Sequence, residues 1–163
     1  MPAPRLQILQ RFVPADLKSR VIHDGPRCAR SWISWNPKKI AERAFRFAIR
    51  IVKLYERMFN AGGAARALAP QILRCGTSIG ANLEEATAGQ TKPDFIAKVS
   101  ISRKEARESV YWLRLFVAAG LLPASDVQWE LSEAKQLVAI LGAIVFNARS
   151  NPNRGPCDKA NAE

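Results

Sequence analysis

"CGTSIGANLEEA", residues 75–86, is the stretch on which the fold turns, because its apolar spacing is helical and its composition is not. Two glycines, Thr77, Ser78 and Asn82 fall within twelve residues, and each Gly costs a helix interior about 1 kcal/mol relative to Ala. Yet Leu68, Ile72, Cys75, Ile79 and Ala86 step through it at three- and four-residue intervals, the spacing of one buried helical face. Asn82 stands where another apolar residue is due. With Ser78 at the origin of a helical wheel, Asn82 falls at about 40°, Glu85 at about −20° and Gly89 at about 20°. The weak helix formers therefore make a polar strip along the edge of the apolar face. Small residues admit a neighbouring helix closely, and Ser and Asn can hydrogen-bond to it. Ser78, Asn82 and Glu85 could equally line a ligand groove. The reading adopted is a structural polar strip, with Arg103 or Lys104 as expected partners on the next helix.

On either side the same spacing recurs. Ile40, Ala44, Phe47, Ile51, Leu54 and Met58 mark a first helix from Pro37 to about Phe59, with Asn36 suited to its N-cap and "NAGG" at 60–63 to its stop. Phe45, Ile49, Val52 and Phe59 add a second apolar flank, so this helix is expected to touch two neighbours. The second helix covers about Ala64 to Gly89, with Pro70 placed in its first turns. Thr91 caps a third, in which Phe95, Val99, Ser102, Ala106, Ser109, Leu113 and Phe116 alternate steps of four and three. Gly120 closes it. Ser125 is expected to cap a fourth, running through Leu131, Ala134, Val138, Leu141, Val145 and Ala148. No segment sustains the period of two that a strand requires. The fold class is all-α, an antiparallel up-down four-helix bundle over residues 37–150. It is preceded by a flexible, poorly structured basic arm at 1–36 and followed by a disordered tail at 151–163. In "RSWISW", residues 30–35, the two tryptophans could stack on bases or dock a partner. Packing on the domain's own surface is the preferred reading.

The formal charge of +11 sets the partner class. Residues 1–36 hold six basic and two acidic side chains, residues 37–150 seventeen and ten, and residues 151–163 balance. The folded region is basic in its own right, which favours polyanions. Three scattered cysteines without a CxxC pair, and a lone histidine, His23, argue against a zinc site, a disulfide framework and histidine-based catalysis. No metal and no cofactor is expected. "AGGAAR" lacks the lysine of a phosphate-binding loop. Glu105 and Glu108 share a helix face but read as a solvated ion-pair surface. No apolar run approaches the roughly 20 residues of a membrane span, so a cytoplasmic protein that is not an enzyme is expected.

Two surfaces carry the functional expectations. Arg43, Arg46, Arg50 and Arg57 share a face of the first helix, with Lys53 beside them, and such a row can follow phosphates in a manner tolerant of sequence and sensitive to salt. A solvated face that only confers solubility is the competing reading. In "YWLRLF", residues 111–116, Leu113 and Phe116 fill the seam, which leaves Tyr111, Trp112, Arg114 and Leu115 for a subunit or partner interface.

The run "QILRCGTSIGANLEEA" followed by "KPDFIAKVSISRKEARESVYWLRL" resembles the small four-helix-bundle proteins encoded in intervening sequences of bacterial large-subunit ribosomal RNA genes. Arg74, Ser78, Ile79, Asn82 and Glu85 match the second-helix signature of that family. Lys104, Glu105, Glu108, Tyr111, Trp112 and Leu113 match its third-helix motif, with Ser109 in place of Thr. Leu83 and Ala86 replace the usual Ile and Gly, and Gly80 stands where Pro is usual. The resemblance spans about residues 38–149. It implies a relation to the accessory protein of diversity-generating retroelements, a basic bundle that forms a pentameric ring and binds nucleic acid and a reverse transcriptase. Homo-oligomerisation, as a pentamer, and binding of RNA or DNA are what it implies here, with a reverse transcriptase as a candidate partner.

Overall fold

The structure, a computed structural model, describes residues 37–150. The expectations for residues 1–36 and 151–163, including the arm, the tail and the Asn36 cap, lie outside the described residues. Four helices follow one another: α1 (Pro37–Ala61), α2 (Gly63–Ala88), α3 (Lys92–Ala118) and α4 (Ala124–Ser150). Consecutive helices pack most closely, and the α1–α4 contact is the slightest of the four that close the bundle.

The connections are short because each carries a backbone device. Gly62 and Gly63 take positive φ values of 77° and 53° and turn α1 into α2. Thr91 accepts a hydrogen bond from the Asp94 backbone N–H at 3.3 Å and caps α3, as its sequence position indicates. Gly120, at φ 69°, ends the α3 segment where the sequence places the stop. Ser125 is not the α4 cap. The helix already begins at Ala124, and the Ser125 hydroxyl donates to Asp126 Oδ1 at 3.2 Å. Pro70 lies inside α2 rather than in its first turn, on an exposed face where a freed carbonyl can meet water.

The core seams differ in how they were read. In α3 all seven expected residues are buried. In α1, Ala44, Phe47, Ile51, Leu54 and Met58 are buried, but the second flank is not covered: Phe45 is 60% exposed, and Ile49 and Val52 are exposed as well. In α4 half of the expected seam is buried, namely Ala134, Leu141 and Val145. Leu131 and Val138 are only half-buried, whereas Val127, Leu137 and Ile144 are buried and so are two carboxylates, Glu130 and Glu133, at 4% and 8% exposure. α4 is also long and apolar enough, by length and composition, to cross a membrane, which the sequence reading had not registered. In the bundle its Leu137, Leu141, Ile144 and Val145 are buried against the other helices.

The glycines of the opening stretch answer to α1. A Cβ on Gly76 would stand 2.8 Å from Ile51 Cγ2 and 2.9 Å from Ile51 Cγ1, distances that real carbon pairs do not adopt. Gly76 is therefore required for α1 and α2 to approach. Gly80 is not, since a Cβ there would meet Ala44 at an ordinary 3.8 Å.

Candidate nucleic-acid interface

The arginine row on α1 is built as expected and occupied in a way that was not. Arg43, Arg50 and Arg57 recur every seven residues, two helical turns, and so stay on one flank of α1 beside the core face. That flank faces α4, where Asp126, Glu130 and Glu133 step by four and three in the opposite chain direction. Arg43 makes a forked contact with Glu133, at 2.7 and 2.8 Å, and donates to Gln136 at 2.9 Å. Arg50 donates to Glu130 at 2.7 Å while its guanidinium lies 4.6 Å from the centroid of the Trp129 ring. Arg57 pairs with Asp126 and holds that carboxyl below its usual range through the hydrogen bond. The ladder fills the space where α1 and α4 backbones come least close. A buried carboxylate is costly unless paired, so the arginines are what allow Glu130 and Glu133 to sit inside.

Of the five basic residues expected to contact nucleic acid, three are thus neutralised across a helix seam. Arg46 keeps an exposed, distant contact of 3.9 Å with Glu42, and Lys53 forms no ion pair with any described residue. The row is a bundle seam first.

The polar strip on α2 closes on itself. Asn82 Nδ2 donates to the Ser78 carbonyl at 2.9 Å and to Ser78 Oγ at 3.0 Å, both within α2. Glu85 reaches α3, but its partner is Lys98, whose ammonium it holds in the protonated form, and not Arg103 or Lys104. Two further hydrogen bonds between α2 and α3 come from serines at seam positions. Ser102 Oγ donates to the Ile79 carbonyl at 2.9 Å, and Ser109 Oγ reaches Cys75 Sγ at 3.2 Å. Burial pushes the Cys75 thiol up to about 11, which keeps it protonated and unreactive. Glu85 and Lys98 also border an open depression at the α2–α3 turn, with Gly89, Thr91 and Asp94. No group of three or more potential metal ligands occurs among the described residues.

"YWLRLF" does not present one face. Trp112 is half-buried, donates Nε1–H to Glu108 Oε1 at 3.2 Å and stacks on Phe116 at 6.2 Å between centroids. The same Glu108 oxygen accepts from Arg74 of α2 at 2.8 Å. Leu115 is half-buried. Tyr111 packs edge-on against Trp112, 5.1 Å between centroids, and is still 58% exposed; Arg114 is exposed.

These features define a basic antiparallel four-helix bundle in which Arg74 and Glu108 pair across the α2–α3 seam. The chain belongs to the 23S rRNA-intervening sequence protein family, which it matches over residues 37–143. Among solved structures it is similar to a Bacteroides thetaiotaomicron protein described as of unknown function and of the S23 ribosomal protein family. The two are 34% identical, with a TM-score of 0.61, and the match covers 65% of this chain and 97% of that one. No curated protein matches significantly. The family accounts for the two motifs in physical terms: Arg74, Glu108 and Trp112 form one interhelical cluster, and Glu85 anchors the far end of the same seam.

Proposed function

We propose that this protein is a non-enzymatic bundle that binds nucleic acid, RNA foremost, through phosphate contacts. One observation carries the reading. Six of the ten carboxylates in residues 37–150 are taken up in ion pairs within the bundle, while Lys104, Arg107, Arg114, Lys135 and Arg149 are exposed and outside those pairs. The charge surplus of the folded region is therefore displayed on the surface. A field of that sign raises the local concentration of polyanions and speeds their encounter. The descriptions of the family and of the Bacteroides protein refer to 23S rRNA and to a ribosomal protein family, which makes RNA the polyanion to test before others. Binding of this kind falls along a straight line in log affinity against log salt. The test is fluorescence anisotropy of a labelled RNA titrated with the full chain at 50 and 200 mM salt. Tight binding at the lower concentration that weakens steeply at the higher supports the reading, and no binding at 50 mM refutes it.

Assembly into a homo-oligomer is a second reading, favoured by the stripe of Phe45, Ile49 and Val52. These residues step by four and three along α1 and remain exposed in the single chain. A second copy is the occupant that would cover a stripe of this kind. Sedimentation velocity decides it: a monomer at micromolar concentration excludes this reading.

A further inference from the structure

The carboxylates of α3 and α4 are sorted, and the sorting leaves one face bare. α3 contains three acidic residues. Glu108 bonds Arg74 of α2, Glu105 stands three residues before Glu108 and four before Ser109 on that α2-facing side with its Oε2 buried, and Asp94 lies against Gly89 at the α2–α3 turn. α4 also contains three, Asp126, Glu130 and Glu133, and all three pair with α1 arginines. The outward side where α3 and α4 run next to each other therefore holds no carboxylate from either helix. It holds Arg103, Lys104, Arg107 and Arg114 from α3, and Lys135 and Arg149 from α4. All but Arg103 are exposed. Arg103 is half-buried, and its guanidinium lies across Gly142, 3.2 to 3.5 Å from where a Cβ would stand. Glycine at 142 gives that side chain its seat and fixes which residues of α3 and α4 are level.

We infer that this α3–α4 face is the site at which the protein holds single-stranded RNA, an assignment that rests on the nucleic-acid reading above. Three features select that ligand. Four of the six cations are arginines, whose planar fork matches a phosphate in two hydrogen bonds. Tyr111, 58% exposed and held edge-on against Trp112 at 5.1 Å between centroids, stands four residues after Arg107 and three before Arg114, so a fixed ring lies within one helical turn of both cations. That is the arrangement of a stacking platform with backbone cations on both sides, and it needs unpaired bases. Finally, the two exposed rings are far apart. From the Arg103–Gly142 crossing, Tyr111 lies about 12 Å along one way and Phe146 about 6 Å along the other, at 1.5 Å per residue. Rings about 18 Å apart do not make the continuous apolar surface that insertion into a lipid interface requires.

The experiment uses the full chain, a fluorescein-labelled 20-nucleotide oligouridylate and vesicles containing phosphatidylglycerol. Two double variants change the net charge equally: Arg107→Glu with Arg114→Glu on α3, and Arg46→Glu with Lys53→Glu on α1. All four positions are exposed, and circular dichroism checks that both variants stay helical. The α3 pair should weaken RNA binding by tenfold or more and lower the salt slope by about two, while the α1 pair should change affinity less than threefold. Tyr111→Ala should weaken binding at least fivefold with the salt slope unchanged. Equal losses in both double variants, or intact binding in the α3 variant, overturn the assignment while leaving nucleic-acid binding in place. Absence of RNA binding by the unaltered chain overturns both. Tighter binding to vesicles than to RNA, lost in the α3 variant, overturns the choice of ligand.

Discussion

Gly76→Ala and Gly80→Ala, four residues apart on α2, should move stability in opposite directions. Both replacements remove a flexible residue from a helix interior, which by itself stabilises by about 0.5–1 kcal/mol. At Gly80 nothing opposes that gain, because the new methyl group meets Ala44 at 3.8 Å. At Gly76 it would lie 2.8 Å from Ile51 Cγ2 and 3.2 Å from Ile51 Cβ. A change of rotamer cannot relieve the second distance, since Cβ is fixed to the backbone, and Ile51 is fully buried with a stiff χ1 in its helix. α1 and α2 must move apart, and overpacking of this kind costs about 1–3 kcal/mol. Gly76→Ala should therefore be destabilised by about 1–2 kcal/mol net and Gly80→Ala stabilised by up to about 1 kcal/mol. Urea unfolding followed by far-ultraviolet circular dichroism measures both, provided the m-value stays constant. A double-mutant cycle sharpens the test: Ile51→Ala should cost less in the Gly76→Ala background than alone, because it removes the clashing Cγ atoms. Equal stabilities for the two glycine variants, or no coupling with Ile51, would refute the close approach as the reason for Gly76.

Further outcomes follow from the polar seams. Arg43→Ala should cost about 1–3 kcal/mol, because it strands a nearly buried Glu133 that accepts two of its hydrogen bonds; Arg57→Ala, at the exposed end of the ladder, should change the urea midpoint far less. Asp126 has its folded pKa lowered by Arg57, so its contribution is present above the unfolded carboxylate pKa and is lost as pH falls through the folded value. The acid limb of the stability profile should accordingly shrink in Asp126→Asn, and an unchanged limb would contradict the pairing. In a chain carrying Cys28→Ser and Cys157→Ser, Cys75 should resist thiol labelling at pH 8 and react at the rate of unfolding, as burial raises its pKa to about 11. Immediate labelling of the folded chain would show the thiol to be open.

Most of the fold could be read from spacing because each helix hides a stripe that recurs every three or four residues. α3 was fully legible: its seam is apolar or small at every position, and the residues beside it are polar. α4 was legible in part: Ala134, Leu141 and Val145 are buried as their spacing indicates. Leu131, Leu137, Val138, Ile140 and Ile144 surround the helix with apolar candidates, so periodicity alone left the centre of the buried face open. Burial there was decided by partners on another helix. Asp126, Glu130 and Glu133 share a face that runs antiparallel to Arg57, Arg50 and Arg43, and that complementary spacing is present in the sequence. It was missed because charged residues were assigned to solvent, the usual place for them when unpaired. The same assumption read Arg43, Arg50 and Arg57 as free to meet phosphates.

The four seams of the bundle use two devices in alternation, and this constrains where function can reside. α1 meets α2 through the missing side chain of Gly76, and α3 meets α4 where Arg103 crosses the missing side chain of Gly142. α2 meets α3, and α4 meets α1, through ion pairs that bring carboxylates of one helix to cations of the other. Antiparallel bundles of similar apolar stripes have competing registers, and a ladder of opposite charges favours one of them even where its net stabilisation is small. Acidic residues placed for that purpose gather on two seams. In a chain with more cations than anions, the glycine-mediated α3–α4 seam is then left with cations alone on its outer side. The signature residues Arg74, Glu85, Glu108 and Trp112 thus serve the packing of the bundle, and the residues that meet a partner are to be sought on the α3–α4 face, where the exposed signature residues Lys104 and Tyr111 stand beside cations that the signature omits.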